Sequence, residues 1–492
     1  MKGPLRSLAV VAIGAGIVLG ATSLPQRFSV APGSLPGPVT GVPAQPVAQT
    51  QSICPGPETI GVTGLPDSAG QTVSVAGVTA PAASLPSGLA PDQGPGSLTI
   101  GGLPPGVKVT APATERGQIV SAQISTARSA SVVGTGALAP GTVATQWSLT
   151  KAGERRGLFT AACRQPATSS WLVGGGSAPG RQEHLVLTNP WPNPVAVDVT
   201  VFGVSGPIES PNGHGLVVAG HGRTVVLLDA IAGLERSPVV HVVAQGGEVA
   251  AVLSDTWLDG VVSRGGDDAG PVAAPAREQV VAGVPIQGRA VLRLGVPGAD
   301  EAVVQWQLLT PGGPRTLPSG SVTRVAGRST KDIDLSSLAP GAYAVHVNAD
   351  VPVVAAVMVE RRRGADAPSD LAWSLSSGPI RSLAGMALPA AGAKGVSHRL
   401  DLAATDDSAS VLVTSVGARG RVSSKEVSVV ADSVSTVSLA GATSVWVTPR
   451  TGPVRAAVLT TLNDAGGVLL SLTPLADLTL TATPLTLRQL PE

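Results

Sequence analysis

Hydrophobic positions in this chain alternate with polar or small ones over short runs, and Gly, Pro, Asn and Asp cut the runs apart. QTVSVAGV, GSLTIGGL, VAVDVTVFG, AVVQWQLLT and SVLVTSVG all show a period of two, the pattern of strands with one covered face. Beyond the N-terminal segment no stretch carries the period of an amphipathic helix, so the pattern predicts an all-β protein. One run departs from alternation and is apolar on both sides: Ala355-Ala356-Val357-Met358. It recurs as Ala250-Ala251-Val252-Leu253, 105 residues upstream, and as Ala456-Ala457-Val458-Leu459, 101 residues downstream. A second apolar strand precedes each copy, around His241, His346 and Trp446, so each unit is expected to close on an apolar hairpin.

Three units are clear, beginning near residues 171, 281 and 384. Each opens on a Gly-rich strand (WLVGGG, VAGVPIQG, AGMALPAAG) and continues with a strand around Leu185-Val186-Leu187, Leu292-Arg293-Leu294 or Leu400-Asp401-Leu402. A third strand leads to a corner at Val218-Ala219-Gly220, Val325-Ala326-Gly327 or Val430-Ala431-Asp432. Aspartate at the last corner suits a left-handed turn position that the other copies fill with glycine. About seven strands in about 100 residues predict tandem Ig-like β-sandwiches after an N-terminal hydrophobic helix. Propeller blades repeat at about 40–50 residues and fit the spacing less well. The Ala-Ala-Val strand turns its first Ala and its Val to one face and its second Ala and the Leu or Met to the other. It is therefore expected to be covered on both faces, or to lie at a domain junction where small Ala lets the facing sheet approach. Val107 to Ile124 loosely echoes Val445 to Leu459, which leaves open whether the first folded region is a diverged fourth copy. The expected layout is a signal anchor or signal peptide at 1–25, a Pro-rich linker at 26–53 and an N-terminal β domain at 54–165. β-Sandwiches follow at 166–278, 279–380 and 381–480, with a C-terminal tail at 481–492.

Composition sharpens the cores and the compartment. Hydrophobic residues are 43% of the chain but aromatics only 2%, so Val, Leu and Ala must fill the interior. With 33 basic against 32 acidic residues there is no basic face to track phosphates, which argues against nucleic acid as a partner. Lys2 and Arg6 flank a charge-free apolar run from Leu8 to Ala21, extendable to Leu24. Its length falls between a signal-peptide core and a spanning helix. The reading preferred is an uncleaved membrane anchor with the basic end inside, and secretion after cleavage is the alternative. Two cysteines occur, Cys54 and Cys163, without CxxC spacing or nearby His pairs. Export to an oxidising compartment makes a disulfide between them the expectation.

Candidate chemistry is sparse. GxSxG, Walker, HExxH, metal-spaced Cys/His and EF-hand patterns are absent, so the chain is expected not to be an enzyme, with no catalytic residue, cofactor or metal assigned. Gly174-Gly175-Gly176 lacks dinucleotide spacing. His214 and His221 lie close enough to check for a shared metal but read as surface residues, and His241 and His346 hold the repeat position of Trp446, which marks them as structural filling. The pairs Asp267-Asp268 and Asp406-Asp407 are expected in solvated loops, while Asp332 and Asp334 share a strand face. Arg361-Arg362-Arg363 reads as an exposed linker edge. Sugar stacking needs an exposed ring: Trp191, in the loop NPWPNP, is the first candidate ligand contact and Trp257 the second, with Trp171, Trp306 and Trp446 expected in cores.

The hydrophobic N-terminus, the Cys54–Cys163 bracket and the run WLVGGG…HLVLTNPWPNPVAVDVTVFG resemble an uncharacterised family of actinobacterial envelope proteins carrying a domain of unknown function. The resemblance covers most of residues 50–475, although the third clear unit lacks the turn of Asn189-Pro190. Similar proteins are often encoded beside a membrane glycosyltransferase. The resemblance thus implies an accessory role in building envelope glycans, and it carries no catalytic residues. Together these readings point to a non-catalytic, extracytoplasmic scaffold that binds an envelope protein, or alternatively a weak glycan-binding accessory to glycosyl transfer.

Overall fold

The alternating runs form strands because Val, Leu and Thr cover one face of a pleated sheet while Gly and Pro supply the turns. The computed structural model describes residues 44–482 apart from 63, 65, 68–70, 87–88, 90–93, 107–110, 316–320, 363, 365 and 390–394. The N-terminal hydrophobic helix expected at 1–25 lies outside the described residues, as do most of the linker and most of the tail. Among the described residues no helix is long and apolar enough to cross a membrane. The one α-helical turn there is Asp229–Ala232, and the chain is all-β, a tandem of β-sandwiches. Pro46–Ala482 is the unit described below.

One antiparallel four-strand order recurs along the chain. It first appears as Val120–Ile124, Val73–Thr79, Thr142–Thr150 and Gly157–Ala162. It returns as Gly222–Leu227, Arg181–Asn189, Ala250–Asp259 and Val262–Ala269. The third set is Thr330–Asp334, Ala290–Gly295, the C-terminal half of Gly341–Arg362 and Ser369–Leu375. The fourth is Ser433–Ser438, Val396–Ala404, Arg455–Asp464 and Gly467–Pro474. The first folded region therefore shares the sheet order of the other three. Each set faces a second sheet across its own apolar core, built in the second sandwich by Leu185, Leu187, Val197, Val199 and Leu253 among others.

Five expectations need correction. The two strands that close each unit are not a hairpin. Val239–Gln245 and Ala250–Asp259 belong to opposite sheets, as do Ala442–Thr451 and Arg455–Asp464. In the third sandwich they are one 22-residue strand, Gly341–Arg362, that passes from one sheet into the other. The repeat is also out of register by one residue in its first clear copy. Ala251 pairs with Leu187, whereas Ala355 pairs with Leu294 and Ala456 with Leu402, so Ala251, and not Ala250, is the counterpart of Ala355. Because a one-residue shift exchanges the faces of a strand, the inward pair there is Ala251 and Leu253.

The corner is likewise displaced by one residue in the first two copies, and stands where expected at Asp432 in the last. The left-handed residues are His221, Arg328 and Asp432, with φ of 50°, 55° and 52°. Gly220 and Gly327 precede them and serve close approach instead, since a Cβ there would fall 1.9 Å from the carbonyl oxygen of Pro192 or Ala299. Finally, Asp267 and Asp268 are not in a solvated loop: they lie on Val262–Ala269 with 1% and 6% exposure. Strict alternation is lost in SRGGDDA, which hid this strand from a pattern search. Arg361 and Arg362 likewise sit on a strand, and Arg363 lies outside the described residues.

The Ala-Ala-Val strands are covered on both faces, and the covering explains how the sandwiches assemble. Ala355 and Val357 enter the core of the third sandwich, while Ala356 and Met358 join Val173, Phe202, Val239 and Trp373 at the junction with the second. Ala456 and Val458 fill the fourth core, and Ala457 meets Ala344 and Val280 of the third. The last strands of the four sets, Gly157–Ala162, Val262–Ala269, Ser369–Leu375 and Gly467–Pro474, pack each against the next, the fourth returning to the first. At the centre of this closed set lies Asp370, fully buried. Its Oδ1 accepts the N–H groups of Gly266 at 3.2 Å and Leu371 at 3.1 Å, and its Oδ2 those of Leu158 at 3.3 Å and Leu470 at 2.9 Å. One carboxyl group thus receives a backbone donor from all four inner strands. Burial raises this carboxyl and the four donors oppose that. A proton on either oxygen would displace a donor, so the geometry fits the carboxylate. The Gly265–Gly266 pair makes room: a Cβ on Gly265 would lie 1.9 Å from Asp370 Oδ1.

Candidate functional site

Between the first and second sandwiches lies a cleft of about 860 Å³. Gln71, Ser148 and Arg155 reach it from the first sandwich, and Gln182, Thr256 and Trp257 from the second. Its floor is held from both sides. Arg223, on Gly222–Leu227, donates through Nη1 to the Ile60 carbonyl at 2.7 Å and through Nη2 to that of Pro57, fixing the loop that carries Glu58. Gln71 Nε2 donates to Glu58 Oε1, and Arg155 Nη1 donates to Thr59 Oγ1 at 2.5 Å. Arg156 beneath is buried and reaches the third and fourth sandwiches, donating to the Ser369 carbonyl at 3.2 Å, Asp464 Oδ1 at 3.1 Å and the Gly467 carbonyl at 3.0 Å.

Behind the Trp257 wall is a dense ion-pair cluster. Arg181 donates to both oxygens of Asp255, at 2.8 and 2.5 Å, and Asp255 Oδ2 also accepts Trp373 Nε1 at 2.7 Å and the Gly175 N–H at 3.2 Å. The guanidinium groups of Arg181, Arg289 and Arg362 stand 5.7, 5.9 and 5.9 Å from the Trp257 ring, within cation–π range. Arg293, the middle residue of its Leu-Arg-Leu strand, holds Asp332 at 2.8 Å and reaches back to the carbonyls of Gly174 and Gly175 at 3.1 and 3.0 Å. The triple glycine therefore winds around charged side chains of a junction, with Gly176 N–H donating to Glu183 Oε1 at 2.8 Å. These bonds tie the second sandwich to the third, so that neighbouring walls are fixed.

Burial sets the electrostatics. It pushes the Glu58 carboxyl up, against the pull of its own backbone, Arg155 and Gln71. It carries Asp268 to about 8, with Glu58 adding to the rise, and Glu183 to about 8, with Asp255 adding and Arg181 opposing. His184, packed in the same wall, is lowered to about 4 by burial and then by Arg155 and Arg223. A carboxyl raised in the fold contributes stability that is complete below the ordinary carboxylate range and lost as pH climbs through about 8. The His184 contribution is complete above 6.5, so only the raised carboxyls act on the alkaline side of that value. Stability measured by urea unfolding should therefore fall between about pH 6.5 and 9, by about 1.4 kcal/mol per pH unit for each proton the fold retains. Asp268→Asn should flatten the slope, and a wild-type profile already flat in that window would show these carboxyls ionised.

The sequence-singled residues separate on the fold. Cys54 and Cys163 are joined in a disulfide with Cα atoms 4.4 Å apart. Trp257 lines the cleft although only 8% exposed. Trp191 is 40% exposed on an outer corner, its N–H held by Asn189 Oδ1 at 2.9 Å, and does not line the cleft. Trp306 and Trp446 are buried. His214, Nδ1 3.6 Å from Asp198 Oδ1, is exposed, and His221 occupies the corner. The acids of the cleft are Glu58 and Glu154, not the pairs at 267–268, 332 and 334 or 406–407. Gln71, Arg155 and Gln182 were not distinguishable in sequence, because isolated polar residues at strand ends carry no pattern.

A model described as a family of unknown function, DUF5719, matches residues 119–440. No curated protein matches the chain. Among solved structures, a tetra-tandem repeat from the extending region of a large adhesion protein is 15% identical, covers 88% of this chain and 100% of its own, and superposes with a TM-score of 0.09. A likeness at that level carries no argument.

Proposed function

Given that the chain belongs to the DUF5719 family, whose function is unknown, we propose that it is a non-catalytic scaffold of the cell envelope that holds a glycan in the cleft between its first two sandwiches. The observation that carries this reading is the cleft itself: about 860 Å³, walled by amides and hydroxyls from two sandwiches, with Arg155 at its rim and the Trp257 ring at its side. Fixed amide and hydroxyl groups answer the hydroxyls of a sugar, and walls that are already in place lose little freedom when one binds. The Cys54–Cys163 disulfide supports an oxidising compartment outside the cytoplasm. The hydrophobic N-terminal segment would tether the folded region to the membrane, and an accessory role to envelope glycosyl transfer follows from the same picture.

Sedimentation with purified wall polysaccharide tests the reading. Wild-type protein is expected to pellet with the polymer, and the double variant Arg155→Ala/Gln182→Ala to lose about tenfold in affinity, the size of one or two hydrogen bonds to a bound ligand. Trp191→Ala should bind like wild type. If Trp191→Ala abolishes binding while the cleft variant keeps it, the site lies at the outer corner. If nothing sediments, glycan binding is removed, and crosslinking in native membranes then asks whether the scaffold holds a protein instead.

A further inference from the structure

At the junction of the third and fourth sandwiches, three metal-ligating side chains from separate parts of the chain converge. Glu278 comes from Ala276–Ile286, His346 from Gly341–Arg362, and Asp406 from the turn after Val396–Ala404. One donor atom of each lies within 4.8 Å of the other two. We propose that Glu278, His346 and Asp406 bind a divalent transition-metal ion of the zinc type, which clips the fourth sandwich to the third.

Several observations converge on a cation. The imidazole of His346 is 2% exposed and already oriented, with Gln307 Nε2 3.3 Å from Nδ1 and Glu278 Oε1 3.3 Å from Nε2. Gln307 in turn donates to Asp432 Oδ1 at 3.2 Å, and Asn348 Nδ2 stands 3.2 Å from His346 Nε2, so both ring nitrogens have polar neighbours and the ring is held in place. The carboxyl side chains of Glu278, Asp406 and Asp432 surround this point, and Arg455, 3.1 Å from Glu278 Oε1, is the cation that answers them. Arg455 is itself anchored, donating from Nη1 to Thr405 Oγ1 at 2.8 Å. Three acidic groups against one guanidinium leave an excess that a divalent ion balances. Zinc ligands stand about 2.0–2.2 Å from the ion, so donors within 4.8 Å need to close by about 1 Å. The exposed Asp406 side chain can make that movement, and half-exposed Glu278 makes it by loosening its contacts with Arg455 and Thr405 Oγ1. One imidazole with two carboxylates selects zinc over calcium or magnesium, which take six or more oxygens. The site is independent of the glycan cleft, which lies between other sandwiches.

Protein free of any histidine tag, stripped with chelator, is titrated with zinc chloride by calorimetry, and its melting is followed with and without the ion. Saturable binding near one ion per chain and a raised melting temperature are expected, both reversed by chelator. His346→Ala and Asp406→Asn should each weaken binding about 10–100-fold. Asp406 is exposed, so its variant keeps the fold, and an unchanged urea midpoint without metal checks that. Calcium should give no shift. No saturable binding at millimolar zinc, or binding that both variants leave unchanged, overturns the proposal.

Discussion

Asp370→Ala is expected to be the most damaging single substitution in this protein. It strips the acceptor from four buried N–H groups, those of Leu158, Gly266, Leu371 and Leu470. Each unsatisfied buried donor costs about 1–3 kcal/mol, so a loss of about 4 kcal/mol or more is expected, enough to separate the inner strands. Asp370→Asn should cost less, because it keeps one acceptor oxygen while its amide turns two hydrogens toward donors. Urea unfolding of the three proteins reads this order directly. A loss below about 1 kcal/mol for Asp370→Ala would mean that the four strands are held by packing alone and that the carboxylate is incidental.

Removing the disulfide is expected to come second. Cys54 ends the strand Gln49–Cys54 and Cys163 follows the inner strand Gly157–Ala162, so the bond closes the first sandwich over a separation of 109 residues. A crosslink over a loop of that length restricts the unfolded chain by about 4.7 kcal/mol at most in the chain-entropy model. Cys54→Ser/Cys163→Ser, or reduction of the wild type, should lower stability by about 3–4 kcal/mol, with the melting temperature falling alike in both. The backbone bridge between Ile53 and Arg164, at 2.7 and 3.0 Å, joins the same two segments. If the double serine variant loses less than about 1 kcal/mol, that bridge and the neighbouring sandwiches suffice to hold the ends together.

The two predictions rest on features of opposite legibility. Cys54 and Cys163 could be paired from the sequence, because there are two cysteines and the hydrophobic N-terminal segment gave an expectation of export. Asp370 could not be found, because an aspartate inside SDLAWSL looks like a strand-edge polar residue until three other strands point their N–H groups at it. The same applies to Arg155, Gln71 and Gln182, which line one cleft only when two sandwiches face each other, and to Glu278 and Asp406, which meet His346 across a junction. Even the Ala-Ala-Val signal was legible only in part. Its double coverage followed from its composition, but which alanine faces inward is set by pairing with Leu187 or Leu294, and that register differs between copies by one residue.

By itself the sequence determined the all-β class, the sandwich repeat and the disulfide. Each of these follows from local periodicity, turn chemistry or a count of reactive groups, which one stretch of chain contains in full. Only the tertiary structure decided that the closing strands split between sheets, that SRGGDDA is a buried inner strand and that four sandwiches close around Asp370. Those outcomes depend on backbone donors and side-chain faces brought together from segments about 100 residues or more apart, and strand periodicity is blind to such distances.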